Sequence, residues 1–187
     1  AIEMACWDIK GKATGKPVYD LLGGPKRSLT IPARFSMAAY DPETAAKKAI
    51  ERVAWGFTTI KIKVGTEPSQ DIARVRAVRD AVGPTIAIVI DANCGWDADT
   101  AIRCCRELKN CNLALVEQPT PDGDYEAMAK LRRAIDVPVM ADDMCFDLVH
   151  AKELIRHEAC DVISVYPGKN GGIRKSVQIV EFAADQG

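Results

Sequence analysis

The chain of 187 residues is 48% apolar and 27% charged, which is typical of a globular protein with one buried core. Its formal net charge of −1 offers no basic surface to nucleic acids or anionic membranes, so we expect no partner of either class. The longest purely apolar run, 86–90, is too short to span a membrane and no basic leader precedes an apolar core, so we expect a cytoplasmic protein.

The first 27 residues do not share the pattern of the rest of the chain. Residues 2–9 predict one helix and residues 21–25 predict the loop that leaves it, so we assign residues 1–27 to the remnant of another domain and a linker. From residue 28 onward, β-branched runs alternate with amphipathic helical stretches, which is the pattern of parallel βα units. Six strands are predicted, at 29–31, 58–64, 86–91, 114–117, 137–141 and 162–166.

Each predicted helix has one apolar face that would pack outside the sheet. The helix after the first strand begins at the N-cap Asp41 with a proline in its first turn, and it ends at Gly56. The predicted apolar face of this helix is Ala46, Ile50, Val53 and Ala54, and that of the last helix is Ile173, Val177, Val180 and Ala183.

The polar residues at the strand ends distinguish a barrel from a doubly wound open sheet, which shows the same alternation. They are Lys63, Asp91, Glu117, Asp142 and Tyr166, and subtraction of their numbers gives separations of 28, 26, 25 and 24 residues. In a closed barrel these ends converge, whereas the outer strands of an open sheet lie too far apart to share a ligand. We therefore predict a parallel β/α barrel.

Three of these strand-end residues are carboxylates: Asp91, Glu117 and Asp142. Taken singly, each is also explained as a helix N-cap or a loop salt bridge. Together they would repel one another without a cation, and oxygen-only ligands suit a hard ion. The spacing therefore predicts a Mg²⁺ site.

Lys61 and Lys63 lie two residues apart on one predicted strand and so share a face. One interpretation is an exposed edge strand whose lysines face water. Because the flanking helices would cover the other face, we favour lysines that point into the barrel, where one of them can act as a general base.

Five short motifs follow one another along the chain: K-I-K at 61–63, I-D-A-N-C-G-W at 90–96, V-E-Q-P at 116–119, A-D-D at 141–143 and K-N-G-G-I at 169–173. This ordered set resembles the mandelate racemase and muconate-lactonizing branch of the enolase superfamily, and residues 1–24 are similar to the end of that family's N-terminal capping domain. The resemblance implies an α/β fold. Residues 28–187 would form a partial TIM barrel with about six of eight βα units, preceded by the tail of an α+β capping domain in residues 1–27.

The resemblance also implies roles for individual residues. Asp91, Glu117 and Asp142 would bind Mg²⁺, Lys63 would be the acid/base, and Lys61 would support the substrate carboxylate. Asn93 would line the same site, and Asp143 would orient a neighbouring group. The implied reaction removes the α-proton of a small-molecule carboxylate while the metal stabilises the resulting charge.

The departure from the family pattern lies on the sixth strand, where Tyr166 occupies the place of the second catalytic lysine of the muconate-lactonizing subgroup. Tyr166 is either a general acid or a structural aromatic, and Lys169 is either a donor to the substrate or a loop residue. With only one clear base, we favour a lyase that dehydrates a hydroxy acid, sugar acid or amino-acid derivative. The alternative is an isomerase: a racemase, epimerase or cycloisomerase.

Two interpretations of other classes stay open. Six βα units would leave two sheet edges unpaired, and one alternative is therefore an inactive, truncated barrel fragment. A phosphate-binding barrel is supported only by Gly171-Gly172 before a helix. For the full-length protein we expect a homo-oligomer.

Overall fold

The computed structural model describes residues 1–186. Two helices come first, and strands and helices then alternate to the end of the chain. The helices are α1 (Ile2–Thr14), α2 (Val18–Leu21), α3 (Pro42–Ala54), α4 (Pro68–Val82), α5 (Ala98–Glu107), α6 (Tyr125–Ala134), α7 (Leu148–Arg156) and α8 (Ile173–Asp185). The strands are β1 (Phe35–Met37), β2 (Thr59–Lys63), β3 (Ala87–Asp91), β4 (Leu113–Glu117), β5 (Val139–Ala141) and β6 (Val162–Ile163). None of these helices is long and apolar enough to cross a membrane.

The six strands form one sheet in chain order, β1 to β6, and every neighbouring pair is parallel. The predicted α/β fold of six parallel strands alternating with helices is therefore confirmed. Lys63 pairs with Asp91, and Asp91 pairs with Glu117, so these residues occupy one row across the carboxyl-terminal end of the sheet. Paired residues of parallel strands point to the same face.

Alternation along the strands separates the core from the polar row. The core lies between the sheet and the helices, and it includes Ile60, Ile62, Ile90 and Val116 from the strands. Because side chains alternate between the two faces, Lys61 and Lys63 point away from this core. The helices therefore cover one face, and Lys61 and Lys63 lie on the other face together with apolar residues such as Val89 and Leu115.

The first predicted strand is wrong. Leu29 and Ile31 are 63% and 83% exposed and belong to no strand, and β1 instead begins at Phe35. Pairing and packing decide the position: Phe35 pairs with Ile60, and its ring stacks edge-on against Trp55 and Phe57. A run of three apolar or β-branched residues carries no information about either contact.

The predicted start of α3 is confirmed, but the predicted packing face is only partly right, because Val53 packs against the core and Ile50 does not. Asp41 accepts a hydrogen bond from the backbone N–H of Thr44 at 2.9 Å, as an N-cap does. Ile50 is nevertheless 52% exposed, and the fully buried residues of α3 are Ala45 and Ala49. Small residues let the helix approach its neighbours closely, so the largest apolar side chains do not mark the buried face. On α8 the same difference holds: Val180 is exposed, and Ser176 and Ile179 are buried.

Candidate functional site

The row at the carboxyl-terminal end of β2, β3 and β4 brings lysines and carboxylates into direct contact. The ammonium of Lys61 lies 2.7 Å from Oδ2 of Asp91 and 2.7 Å from Oε1 of Glu117. Lys63 Nζ lies 2.6 Å from the same oxygen of Asp91. Both carboxylates are almost completely buried, and their charges are balanced here by these ammonium groups.

The end of β2 is fixed by a buried ion pair that the sequence did not reveal. Arg74 Nη1 lies 2.6 Å from Asp71 Oδ1 and also donates to the backbone carbonyl of Lys63 at 3.1 Å. Asp71 accepts the backbone N–H of Gly65 at 2.9 Å through its other oxygen. These contacts hold the backbone on either side of the Lys63 side chain. In the sequence, Asp71 and Arg74 are one turn apart and look like an ordinary surface pair.

Asp142 follows β5 directly and has its own cation. Lys169 Nζ donates to Oδ1 of Asp142 at 2.8 Å, to the Asp142 carbonyl at 2.7 Å and to the Ser164 carbonyl at 3.0 Å. Burial acts to raise the pKa of Asp142, but the hydrogen bond and charge of Lys169 outweigh it and hold this pKa below its ordinary value. Lys169 therefore contacts one of the three strand-end carboxylates, and its role as a donor to the substrate stays a prediction.

A second set of contacts joins the loops after β3 and β5. The Asn93 backbone N–H donates to Asp91 Oδ1 at 2.9 Å, and its side-chain amide donates to Asp143 Oδ2 at 3.3 Å. The Asn93 side-chain oxygen accepts from Lys63. Asn93 therefore contacts Lys63 on β2, Asp91 on β3 and Asp143 after β5, and the orienting role of Asp143 stays a prediction.

Tyr166 lies at the rim of this group of side chains. Its side chain is exposed, and the Lys169 ammonium lies 4.9 Å from the centre of its ring. In residues 1–186, no hydrogen bond joins the Tyr166 hydroxyl to a carboxylate of the row. The contact with Lys169 is a cation–π contact, which leaves the choice between a general acid and a structural aromatic open.

Three further polar residues belong to the site although the sequence did not single them out. Arg34 Nη2 lies 3.0 Å from Glu117 Oε2, and it was missed because β1 was placed too early. Gln118 is fully buried, and its Oε1 accepts the backbone N–H of Asp142 at 2.9 Å and of Met144 at 3.3 Å. Asn170 donates to the Cys145 carbonyl at 3.0 Å and accepts from the Tyr166 backbone N–H at 2.8 Å. The positions of Gln118 and Asn170, inside two of the motifs, were the only available signal.

The donor chemistry of the site suits a hard cation, although the carboxylates are not gathered around one point. Among residues 1–186, no three Asp, Glu, His or Cys side chains lie close enough together to hold a metal ion as they are arranged. Lys61 lies between Asp91 and Glu117, and Lys169 holds Asp142. Oε2 of Glu117 is buried and accepts no hydrogen bond of good geometry. Arg34 Nη2 lies 3.0 Å from this oxygen, which makes the contact an ion pair by distance alone. A buried carboxylate oxygen that accepts no aligned hydrogen bond is suited to a metal ligand.

Comparison with known proteins identifies the family. The model described as "Enolase C-terminal domain-like" matches residues 44–187, and the "Mandelate racemase / muconate lactonizing enzyme, N-terminal domain" matches residues 1–23. The chain belongs to the mandelate racemase/muconate lactonizing enzyme family of the enolase superfamily. The resemblance carried by the five motifs is therefore confirmed, and the six strands correspond to part of the TIM-barrel domain of this superfamily. The domain boundary after residue 27 stays a prediction.

Three relatives show the range of chemistry in this family. The hydrophobic dipeptide epimerase of Enterococcus faecalis is 37% identical over 100% of this chain and 52% of its own length. Its structure with Mg and the dipeptide L-Leu-L-Tyr has a TM-score of 0.93 at 37% identity, covering 98% of this chain and 52% of that one. The structure of an N-succinyl Arg/Lys racemase of Bacillus cereus has a TM-score of 0.97 at 35% identity, covering 100% and 51%. An L-talarate/galactarate dehydratase of Salmonella typhimurium is 33% identical over 100% of this chain and 47% of its own length. The chain thus spans about half the length of the relatives it matches.

Proposed function

We propose that this chain forms the catalytic part of a Mg²⁺-dependent enzyme that removes the α-proton of a carboxylate substrate and returns a proton to the opposite face, as a racemase or epimerase does. The observation that carries the proposal is the placement of lysines on both sides of the carboxylates. Lys61 and Lys63 lie on β2, and Lys169 follows β6. The carboxylates of β3, β4 and the end of β5 lie between them.

In the proposed reaction, the carboxylates and the two β2 lysines have different roles. Asp91, Glu117 and Asp142 would hold Mg²⁺, which when bound supplies positive charge against the negative charge that develops on the substrate carboxylate. Lys63, the less buried of the two β2 lysines, accepts the α-proton at Nζ when its amine is neutral. Lys61 contributes a buried positive charge next to Asp91 and Glu117.

Lys169 is the proposed partner of Lys63 on the other face of the substrate. Inversion at a carbon needs a proton donor opposite the base, and the sequence showed no lysine at the end of the sixth strand. Lys169, three residues beyond Tyr166, donates to Asp142 Oδ1, and this contact supports assigning the role to Lys169. With Lys169 as a second proton donor, inversion is favoured over the dehydration predicted from the sequence.

The substrate class we propose is an amino-acid derivative acylated on its α-nitrogen. The E. faecalis relative is named for dipeptides and the B. cereus relative for N-succinyl amino acids. Both classes of compound carry an acyl group on an α-nitrogen. Dehydration is the second candidate, because Tyr166 lies beside Lys169 and a dehydratase is among the relatives. In that reaction Tyr166 or Lys169 would protonate the departing hydroxyl.

The first test measures Mg²⁺-dependent exchange of substrate α-protons with D₂O by NMR, using the full-length protein with dipeptides, N-acyl amino acids and sugar acids. Lys63→Ala should lower exchange by about 10²- to 10⁴-fold, as expected for loss of a general base. Lys47→Ala is the matched control, because Lys47 is an exposed lysine paired only with Glu43 on its own helix. Exchange that survives Lys63→Ala would contradict the assignment of the base.

The second test separates inversion from dehydration. With two bases, Lys169→Met should abolish inversion but leave α-proton exchange from the enantiomer that Lys63 serves, since each lysine acts on one face. Tyr166→Phe should then have little effect. Loss of water from a hydroxy acid, reduced by Tyr166→Phe, would instead establish the dehydratase.

A further inference from the structure

Glu3 of α1 reaches a helix that lies 170 residues further along the chain. Its two carboxylate oxygens accept the backbone N–H groups of Ile173 at 2.7 Å and Arg174 at 3.0 Å. Trp7, one turn later on α1, donates its indole N–H to Glu3 at 2.5 Å. Glu3 therefore contacts both Trp7 on its own helix and the first turn of α8.

The start of α8 has no cap of its own. Its N-cap residue is Gly172, which has no side chain to accept the free N–H groups of the first turn. Gly172 is buried with a φ of 118°, and a Cβ atom added there would overlap the Glu3 carboxylate. Partial burial acts to raise the pKa of Glu3, but the backbone hydrogen bonds from Arg174 and Ile173 hold it below its ordinary value. The charged carboxylate thus takes the place of the missing cap.

The loop that Glu3 holds at its end, residues 166–172, carries Tyr166 and Lys169. Its backbone is internally bonded, because Lys169 and Asn170 both donate their backbone N–H groups to the Tyr166 carbonyl at 3.1 Å. The Asn170 side chain anchors the middle of the loop to the Cys145 carbonyl. Its other end is attached to α8, whose first turn depends on Glu3.

We propose that Glu3 is a positioning residue that fixes the loop 166–172, and with it the Lys169 ammonium against Asp142, from the segment that precedes the barrel. The effect on catalysis rests on the function proposed above. The same contact argues against an anion site at Gly171-Gly172, because Glu3 already occupies the two N–H groups that a phosphate would need.

The experiment compares residue-resolved amide hydrogen exchange in the full-length protein and its Glu3→Ala and Glu3→Gln variants. Glu3→Ala should speed exchange at Ile173 and Arg174 about five- to tenfold, as for a lost N-cap, and should also speed exchange at Lys169 and Asn170. Glu3→Gln keeps one acceptor oxygen, so it should give a smaller change and serves if the alanine variant does not fold. Asp8→Ala is the control, because Asp8 lies on the same helix as Glu3 and, within residues 1–186, forms its salt bridge with Lys12 of that helix.

The outcomes are distinguishable. Faster exchange confined to Ile173 and Arg174 would overturn the proposal, because Glu3 would then be only a helix cap. Faster exchange at Lys169 and Asn170 supports it, whether or not a substrate is known. In the active enzyme, kcat should fall about five- to tenfold with KM nearly unchanged; an unchanged kcat would overturn the catalytic consequence. Absence of Mg²⁺-dependent α-proton exchange in the unmodified protein would contradict the proposed function and leave the amide test to decide the role of Glu3.

Discussion

Gln118 shows how one buried side chain sets the position of a candidate ligand. Its φ of 37° is unusual for a residue with a side chain, and it directs the amide into the space under the loop after β5. There it accepts the backbone N–H groups of Asp142 and Met144 and donates to the Thr120 carbonyl at 3.0 Å. The loops after β4 and β5 are thereby joined beneath Asp142.

Gln118→Leu should destabilise the protein and weaken the Mg²⁺ binding proposed above. The variant leaves buried backbone N–H groups unpaired, at a cost of about 1–3 kcal/mol for each group. Urea unfolding should show the loss of stability, and calorimetry with Mg²⁺ should show lower affinity. Gln178→Leu, at an exposed position of α8, should change neither. Equal affinity in Gln118→Leu and the unmodified protein would mean that Gln118 does not position Asp142.

At the residue scale, the sequence predicted the strand-end row well. Lys63, Asp91 and Glu117 are of distinctive types for strand ends and recur once per βα unit, and the register places them side by side. Residues that support this row were not predictable. Asp71, Arg74 and Gln118 are common polar residues whose importance comes from burial, and burial depends on the tertiary structure.

At the scale of whole elements, strong local signals were enough for most helices and strands. The first strand was missed because only three residues form it, and its position is set by Phe35 pairing with Ile60 across the sheet. Helix faces were misjudged at Ile50 and Val180, since close packing through Ala45 and Ala49 needs small side chains. Sequence patterns register hydrophobicity, but not the distance between packed helices.

Helix α7 provides a prediction about pH. Its N-cap Asp147 accepts the backbone N–H groups of Val149 at 2.9 Å and His150 at 3.1 Å. The hydrogen bond from His150 holds the pKa of Asp147 below the ordinary 3.8, against the opposing effect of partial burial. The unfolded chain therefore binds more protons than the folded chain near this pH, so stability rises with pH there. The contribution of Asp147 is complete above its unfolded pKa and is lost as the pH falls through the lower folded pKa.

Asp147→Ala should cost about 1 kcal/mol at neutral pH, as for other lost N-caps, and Asp147→Asn should keep most of the stability. In both variants, amide exchange in α7 should lose the part of its acid dependence that the unmodified protein shows near and below pH 3.8. Hydrogen exchange measured over a pH series is the suitable method. If the acid dependence of amide exchange in α7 is unchanged in Asp147→Asn, this dependence comes from other carboxylates.

At the scale of the whole molecule, the described sheet has two open edges. Within residues 1–186, β1 pairs only with β2, and β6 pairs only with β5. Unpaired strand edges are sites of self-association. Exposed apolar side chains flank β1 in the sequence. Ile31 precedes the strand, and Ile50 and Trp55 lie on α3 and at its end, after the strand.

The 187-residue chain expressed alone should therefore self-associate through the region around β1. Sedimentation velocity over a micromolar concentration series should show reversible growth in size, because exposed apolar surface and unpaired edges promote association in this range. Ile31→Lys places charge in the segment before β1 and Ile50→Lys places it on α3, which follows β1, and both should reduce the association. Val149→Lys is the matched control. Val149 is 67% exposed and lies on α7, which follows β5 and not β1, so this substitution should not reduce the association. A monomer at all concentrations would show that the three-residue strand β1 is too short to recruit a partner, and equal effects of all three substitutions would indicate a general charge effect.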